Sequence, residues 1–318
     1  MTEITIGVDL GGTKIQTVAL HDKEIIGAHR VLTPTTGVDD VIAAIVAAAI
    51  AAMEAAGAST ADIAGVGIGS PGHIDVVLGV VTRSPNIVGF NGPVELGPLV
   101  SKALGNVDVH IENDVRVAML GEHARGNAAP YTDVLGVFVG TGVGGGLILG
   151  GKLRQGRGAA GEIGHTRVKP GGRICSDGQR GHLEAYAGRG QLEVRARELV
   201  SKGHRTELFK IMEKKGRTRL SSGVFAAALE DGDKMATYLI DDAVWALGIA
   251  LSSAQNLLDL EAIVIGGGLG DRLGAPFIER IEAQIRPQLI SPDNAPAILG
   301  TGLGDLSGAV GAAVLAGG

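Results

Sequence analysis

Apolar runs that stop in glycine clusters constrain this chain more than any other feature. Residues 4–9 run into Asp9-Leu10-Gly11-Gly12-Thr13-Lys14, residues 134–139 into Gly140-Thr141-Gly142-Val143-Gly144-Gly145-Gly146, and residues 261–265 into Gly266-Gly267-Gly268. The 52 glycines of the 318 residues are clustered rather than periodic, which excludes a collagen-like or low-complexity chain. Glycine just past a strand lets the backbone approach a ligand closely. Successive amides in a tight turn form an anion-binding nest, and a carboxylate beside it, here Asp9, can hold Mg²⁺. Any one of these turns could be an ordinary hairpin. Three at strand ends suit a nucleotide lying across a cleft, with two turns on phosphates and one on the base and ribose.

The remaining elements alternate between strand and helix, which places the chain in the α/β class. Strands are expected at 4–9, 15–20 and 24–31, with a turn at His21-Asp22-Lys23, followed by a helix at 38–57 and a strand at 63–68. A helix near 94–104 and a strand at 107–111 complete a first unit. A second unit opens at 134–139, with short strands at 147–149 and 152–154, then a polar, glycine-rich insertion over 156–181. Helices are expected at 182–202, 207–215, 222–229, 233–259 and 276–286, with strands at 261–265 and 297–299, and a last helix at 305–316. The division falls at 1–115 for a small lobe and 116–304 for a larger one, with the last helix (305–318) free to pack back on the first.

Several function classes are excluded or disfavoured. Two stretches match GxGxxG literally, 67–72 and 140–145, but one carries Pro71 into an irregular loop and the other runs on into a strand. A dinucleotide fold would start a helix there. No GxxxxGK[ST] is present. A net charge of −6 without a basic block at either end argues against nucleic acid as partner. The basic run from Lys202 to Arg219 is interleaved with Glu207 and Glu213 and reads as a solvated helical face. With Cys175 as sole cysteine, no intramolecular disulfide can form, which fits a reducing, cytoplasmic setting. No secretory leader is expected at the start, and the longest apolar run, residues 41–53, is too short for a bilayer that needs ~20 residues.

Two polar clusters remain. Glu112-Asn113-Asp114 stands where the 107–111 strand meets a helix at 115–125. An Asn or Asp there caps the helix, or faces a cleft at the sheet edge. The other cluster is Gly161-Glu162-Ile163-Gly164-His165 with Cys175, Asp177, His182 and Glu184. Cys, Asp and two His can together hold Zn²⁺, while by spacing alone a polar loop without metal is the plainer reading.

These motifs, in this order, resemble the ROK family of sugar kinases, with bacterial glucokinases nearest. The likeness runs from about Ile4 to Gly311. It implies the two-lobed α/β fold shared by actin, sugar kinases and the heat-shock chaperone ATPase, with a ligand cleft between the lobes. It further implies ATP- and Mg²⁺-dependent phosphorylation of a hexose, glucose at its 6-hydroxyl first, by a homodimer. By that resemblance Asp114 is the general base, and Asn113, Glu162, His165 and Glu184 bind the sugar, with Gly69, Pro71, Gly72 and Asn91 beside it. Asp9 manages Mg²⁺, Gly11, Gly12, Thr13, Lys14, Thr141 and Gly142 line the phosphates, and Gly267 and Gly268 lie near adenosine. The chain departs from the family in its zinc loop. His165 and Cys175 stand as expected, but Asp177 and His182 replace two cysteines. Both can ligate zinc, though oxygen for sulfur weakens a structural site. Kinases for fructose, mannose or an N-acetylhexosamine, and a polyphosphate-using glucokinase, stay open as alternatives. A ROK transcriptional regulator would need a DNA-binding segment ahead of the first strand, and that strand begins at Ile4.

Overall fold

Period-two alternation sorts the first sheet into two faces. The computed structural model describes residues 4–22 and 24–317, so the expected turn at 21–23 ends on Lys23, outside the described residues. Strand β1 (Ile4–Leu10) buries Ile6, Val8 and Leu10 completely on one face. Gly7 and Asp9 fall on the other. β1 is central in a sheet of order β3-β2-β1-β4-β7, with β2 (Lys14–His21), β3 (Glu24–Leu32), β4 (Ile63–Ser70) and β7 (Val109–Asn113). β2 and β3 continue antiparallel from β1, while β4 and β7 run parallel to it.

Helices α1 (Val38–Ala55) and α2 (Leu96–Ala103) cover the apolar face, and Ile45, Met53, Val100 and Phe90 join its core. Helices α3 (Asp114–Arg125) and α10 (Ser307–Ala316) pack together on the other side, α10 lying along β1 and β4. Here backbone meets backbone. A β-carbon on Gly7 would collide with the Ala309 carbonyl, one on Gly67 with that of Ala312, and one on Gly311 with that of Val117. The Glu122 carboxylate, fully buried on α3, accepts hydrogen bonds from the amides of Asn127 (3.2 Å), Gly302 (2.7 Å) and Leu303 (3.0 Å), and from the Ser307 hydroxyl (2.7 Å). The last helix is thus tied to α3 by a charge as well as by packing.

Contacts group the chain into two units. The first takes in the chain up to Thr132, then Gly146–Ala160 and the residues from Gly302 on; the second takes in Asp133–Gly145 and Gly161–Thr301. A boundary at 115/116 would cut α3 within its first turn, whereas this grouping keeps α3 whole. The first unit also holds a hairpin that sequence reading missed, β5 (His73–Asp75) with β6 (Val80–Arg83). The second unit is built on three parallel strands, β8 (Val134–Val139), β11 (Ala262–Gly266) and β12 (Ala297–Gly300), with β11 in the middle. Strand β9 (Val143–Leu149) starts earlier than expected, with Gly144, Gly145 and Gly146 inside it. Its end forms a short hairpin with β10 (Lys152–Leu153).

The helical pattern expected over 182–202 is two helices, α4 (Glu184–Ala187) and α5 (Arg189–Ser201), because Gly188 is extended (φ −65°, ψ 126°). Helices α6 (Leu208–Lys214), α7 (Ser222–Glu230) and α8 (Lys234–Leu258) follow. Helix α9 (Gly267–Ile285) begins at the glycine triplet itself and kinks at Gly274 (φ 61°), just before Pro276, where the helix was expected to start. Among the described residues α8 alone has the length and composition to cross a bilayer, and 67% of its most apolar window is buried in the protein. It is a core helix of the second unit, longer than the 41–53 run that sequence reading singled out.

Candidate active site

Parallel strands deliver their carboxyl ends to one edge of a sheet, where ligand sites of open α/β sheets form. In the first unit that edge collects the ends of β1, β4 and β7. Asp9 is in register with Gly69, and Gly69 with Glu112; Ser70 is in register with Asn113. The next residue, Asp114, opens α3.

The capping reading of this junction holds for Asn113. Asn113 is the N-cap: its Oδ1 accepts from the amides of Val115 (3.0 Å) and Arg116 (3.3 Å), and its Nδ2 donates to the Gly72 carbonyl (3.4 Å). Asp114 stands one residue on, its Oδ1 accepting from its neighbour's amide at 3.0 Å. It acts electrostatically on Asp9. Burial, the Asp114 charge and, more weakly, Asp305 push the Asp9 carboxyl up to about 7, with Lys14 opposing. Gly72 holds φ 105° in a turn with no room for a side chain. Asn91 is exposed in the 91–92 turn, and no hydrogen bond or ion pair joins it to the other candidates among the described residues.

The Asp9–Lys14 turn is closed by the Gly11 amide donating to the Lys14 carbonyl (2.9 Å) and by Thr33 Oγ1 donating to the Gly11 carbonyl (2.6 Å). Gly12 is glycine for contact, since a β-carbon would lie 2.7 Å from the Asn86 carbonyl. Thr13 is exposed, and Lys14 Nζ pairs with Asp305 at 2.8 Å.

Beside Asp114 lies a network that sequence reading missed. Glu112 is fully buried and pairs with Arg116 at 3.3 Å; it also accepts from Gln155 Nε2 (2.9 Å) and the Asn113 amide (2.8 Å). Arg116 Nη2 donates onward to the carbonyls of Gly158 (2.6 Å) and Ala160 (3.2 Å). The i, i+4 spacing of Glu112 and Arg116 was visible, but their burial was not.

In the second unit the carboxyl ends of β8 and β11 bring together the other two glycine turns, Gly266 pairing with Phe138. Thr141 is exposed, and its hydroxyl accepts from Arg189 Nη2 at 2.9 Å. Gly267 (φ 78°) packs its Cα against the Val139 backbone, and Gly268 is exposed. Gly142 lies so close to the Glu184 carboxylate that a β-carbon would strike it. Glu184 accepts from the Val143 amide (2.9 Å), the Ser176 hydroxyl and, at 3.6 Å, the Cys175 thiol. It therefore ties the start of β9 to the 175–176 loop. Glu162 is exposed and opens the turn that carries His165; Gly164 and Gly145 are glycine because the turn packs against the β9 backbone.

The possible zinc ligands do converge. One ligand atom from each of His165, Cys175, Asp177 and His182 lies within 4.8 Å of all the others. Asp177 Oδ2 stands 3.2 Å from His165 Nδ1 and 3.1 Å from His182 Nδ1. The buried His182 Nδ1 nevertheless makes no hydrogen bond among the described residues. Burial pushes the Cys175 thiol up, with the Glu184 and Asp177 charges adding to it.

Comparison with known proteins completes the picture. A sequence profile of the ROK family matches residues 5–318. A glucokinase of Streptomyces coelicolor is 33% identical over 319 residues, a match covering 98% of this chain and 97% of that protein. The crystal structure of a ROK hexokinase from Thermus thermophilus superposes with a TM-score of 0.81 at 31% identity, over 98% of this chain and 97% of that one. That of a ROK glucokinase from Streptomyces griseus, in complex with glucose and AMPPNP, gives 0.79 at 33% identity, over 98% of each. Across nearly its whole length the fold is therefore the actin-like ATPase fold, and the chain belongs to the ROK family.

Proposed function

We propose that this chain, a sugar kinase, transfers the terminal phosphoryl group of ATP to a hexose hydroxyl, with the 6-hydroxyl of glucose as first substrate, and works as a cytoplasmic homodimer. The observation that carries the reading is the carboxylate pair at the edge of the first sheet, Asp9 beside Asp114. The sugar and nucleotide held by the Streptomyces griseus enzyme set the substrate expectation. Asp114, ionised, takes the proton from the attacking hydroxyl, and Asn113, locked as the α3 cap, keeps that carboxylate in place. Proton removal by such a base contributes ~10²–10⁴-fold; the remainder of phosphoryl transfer is positioning and charge stabilisation. Glu162 and His165 are sugar-binding candidates by the family resemblance. Glu184 supports the turn at Gly142 through its own bonds, a positioning role that adds to the one expected from the family.

Asp9 fits a cation. A carboxyl raised to about 7 by burial and two other acids is short of positive charge, and Mg²⁺ there would neutralise charge on the donor phosphates. The Cys175 loop fits zinc: four ligand atoms of suitable types converge, and one buried imidazole nitrogen lacks a hydrogen bond. His165, Cys175, Asp177 and His182 would hold that ion, which would clamp the loop leading into Glu184 at the start of α4. The test of the catalytic assignment is Asp114→Asn, assayed by coupled ADP release with glucose, mannose, fructose and N-acetylhexosamines. Glucose affinity should stay within about threefold while kcat falls ~10²–10⁴-fold. A variant with near-normal kcat removes Asp114 as base, and a wild type active only with polyphosphate replaces ATP as donor.

A further inference from the structure

Among the described residues Arg189 has no carboxylate partner within ion-pair distance. It sits at the start of α5, where its own amide donates to the Gly140 carbonyl (3.0 Å) and the next amide, Gly190, to the Thr141 carbonyl (2.9 Å). These bonds dock the helix on the glycine turn and leave the guanidinium at the turn's edge. Its hydrogen-bond partners are both neutral hydroxyls, Thr141 Oγ1 (2.9 Å) and Ser222 Oγ (3.2 Å). A β-carbon on Gly268 would have as its nearest neighbours Ser222 Oγ (3.5 Å) and Arg189 Nη1 (3.8 Å), so the space beside the third glycine turn is bounded by the same cation.

A second guanidinium stands close by. Arg219 Nη2 would lie 3.9 Å from a β-carbon on Gly190, and the Arg219 charge lowers the proton affinity of Arg189, second only to burial. The acid in reach of both, Glu193, is already engaged: it accepts from Arg197 Nε (3.1 Å) and Nη2 (2.7 Å) and from the Leu220 amide (2.9 Å), with Arg219 Nε at 3.9 Å. Two guanidinium groups pair with Glu193 and a third, Arg189, feels its charge only from farther off, leaving local positive charge beside two turns rich in glycine. Arg219 closes the basic run that sequence reading assigned to a solvated face. Its last member is solvated as expected and also stands in this cluster.

We infer that Arg189 and Arg219 form an anion-binding pair on the second unit and hold the polyphosphate chain of the phosphoryl donor. The inference rests on the kinase reading and deepens it, assigning donor affinity to residues outside the glycine turns themselves. Arg189, held by two hydroxyls, supplies a preset planar fork suited to phosphate oxygens. Arg219, with its side chain 71% exposed, supplies a mobile second charge.

The test uses the whole chain as wild type, Arg189→Gln, Arg219→Gln and the double variant, each checked for folding by far-UV circular dichroism. Calorimetric titration with AMPPNP and, separately, with inorganic tripolyphosphate reads the anion site directly, without turnover. The expected result is about tenfold weaker binding of both probes for Arg189→Gln, less for Arg219→Gln and most for the double variant. KM for ATP should rise in step while KM for the hexose stays within about twofold. Arg189→Lys should recover part of the tripolyphosphate affinity. An active wild type whose affinity for both probes is the same in every folded variant overturns the pair and leaves the kinase reading intact. An inactive wild type whose tripolyphosphate binding still depends on the arginines overturns the kinase reading and supports the pair.

Discussion

Replacing Arg116 by Met tests whether the buried network beside Asp114 is a support for the catalytic edge. Glu112 has no exposed surface, and the Arg116 side chain is 6% exposed. Taking away the guanidinium leaves a carboxylate in the protein interior with two hydrogen bonds, from Gln155 and the Asn113 amide, and no counter-charge. Breaking a buried pair in this way costs ~3–5 kcal/mol. The freed carbonyls belong to Gly158, an exposed residue, and Ala160, a half-buried one; both can turn to water, so they add little. Adding Glu112→Gln removes the stranded charge while keeping an acceptor for the Asn113 amide, so the double variant should lose only ~1–2 kcal/mol. Urea unfolding followed by far-UV circular dichroism gives the comparison, and hydrogen exchange of peptides spanning 109–125 and 155–160 assigns the loss to this corner of the first unit. A single variant within ~1 kcal/mol of wild type, or a double variant less stable than the single, refutes the reasoning.

Other perturbations follow from the same geometry. The Asp9 carboxyl is raised in the folded state, so its proton favours the fold. The contribution is full below about pH 4 and lost as pH rises through about 7. In EDTA, Tm should fall from pH 5 to pH 8 and Asp9→Asn should flatten that slope; at ~1.4 kcal/mol per unit the effect is capped at about 4 kcal/mol, and an unchanged slope refutes it. Gly67→Ala and Gly311→Ala press a β-carbon into a carbonyl of the facing element and should each cost ~1–3 kcal/mol or more. Gly92→Ala, with nothing within 4 Å, should stay within ~0.5 kcal/mol of wild type by thermal unfolding; equal Tm for all three refutes the packing account. Protein prepared without added zinc should carry about one zinc per chain by mass spectrometry and lose it in Cys175→Ala; a metal-free wild type would leave the loop to its hydrogen bonds alone.

What could be read in the sequence divides along the range of the interactions. The strands that end in glycine turns were legible because apolar runs and glycines are local signals, and the cap at Asn113 because capping is local too. Asp9 and Asp114 could be placed at strand ends, but their mutual influence comes from parallel registry across β4, which no spacing reveals. Arg189 was hidden inside a pattern that read as one continuous helix, since Gly188 breaks it with a single extended residue. Asp177 and His182 showed as departures from a motif, and their convergence with His165 and Cys175 needed the fold of the 165–182 loop. The buried state of Glu112, Arg116 and Glu122 was invisible, because charged residues are by default assigned to solvent.

Helix α10 has a consequence for the order in which this protein is made. It supplies one side of the first sheet, and Glu122 waits for amides at 302 and 303 and a hydroxyl at 307. Translation proceeds at about 5–20 residues per second, so ~10–40 s separate the emergence of Thr132 from that of Ala316. Throughout that interval the sheet face around Gly7, Val18 and Leu20 lacks α10, and of its four donors the Glu122 carboxylate has only the Asn127 amide. The second unit, whose strands all lie between 133 and 301, has its own parts in hand sooner. The half of the protein synthesised first is thus the half completed last, and nascent chains stalled before residue 302 are the ones that should depend most on chaperones.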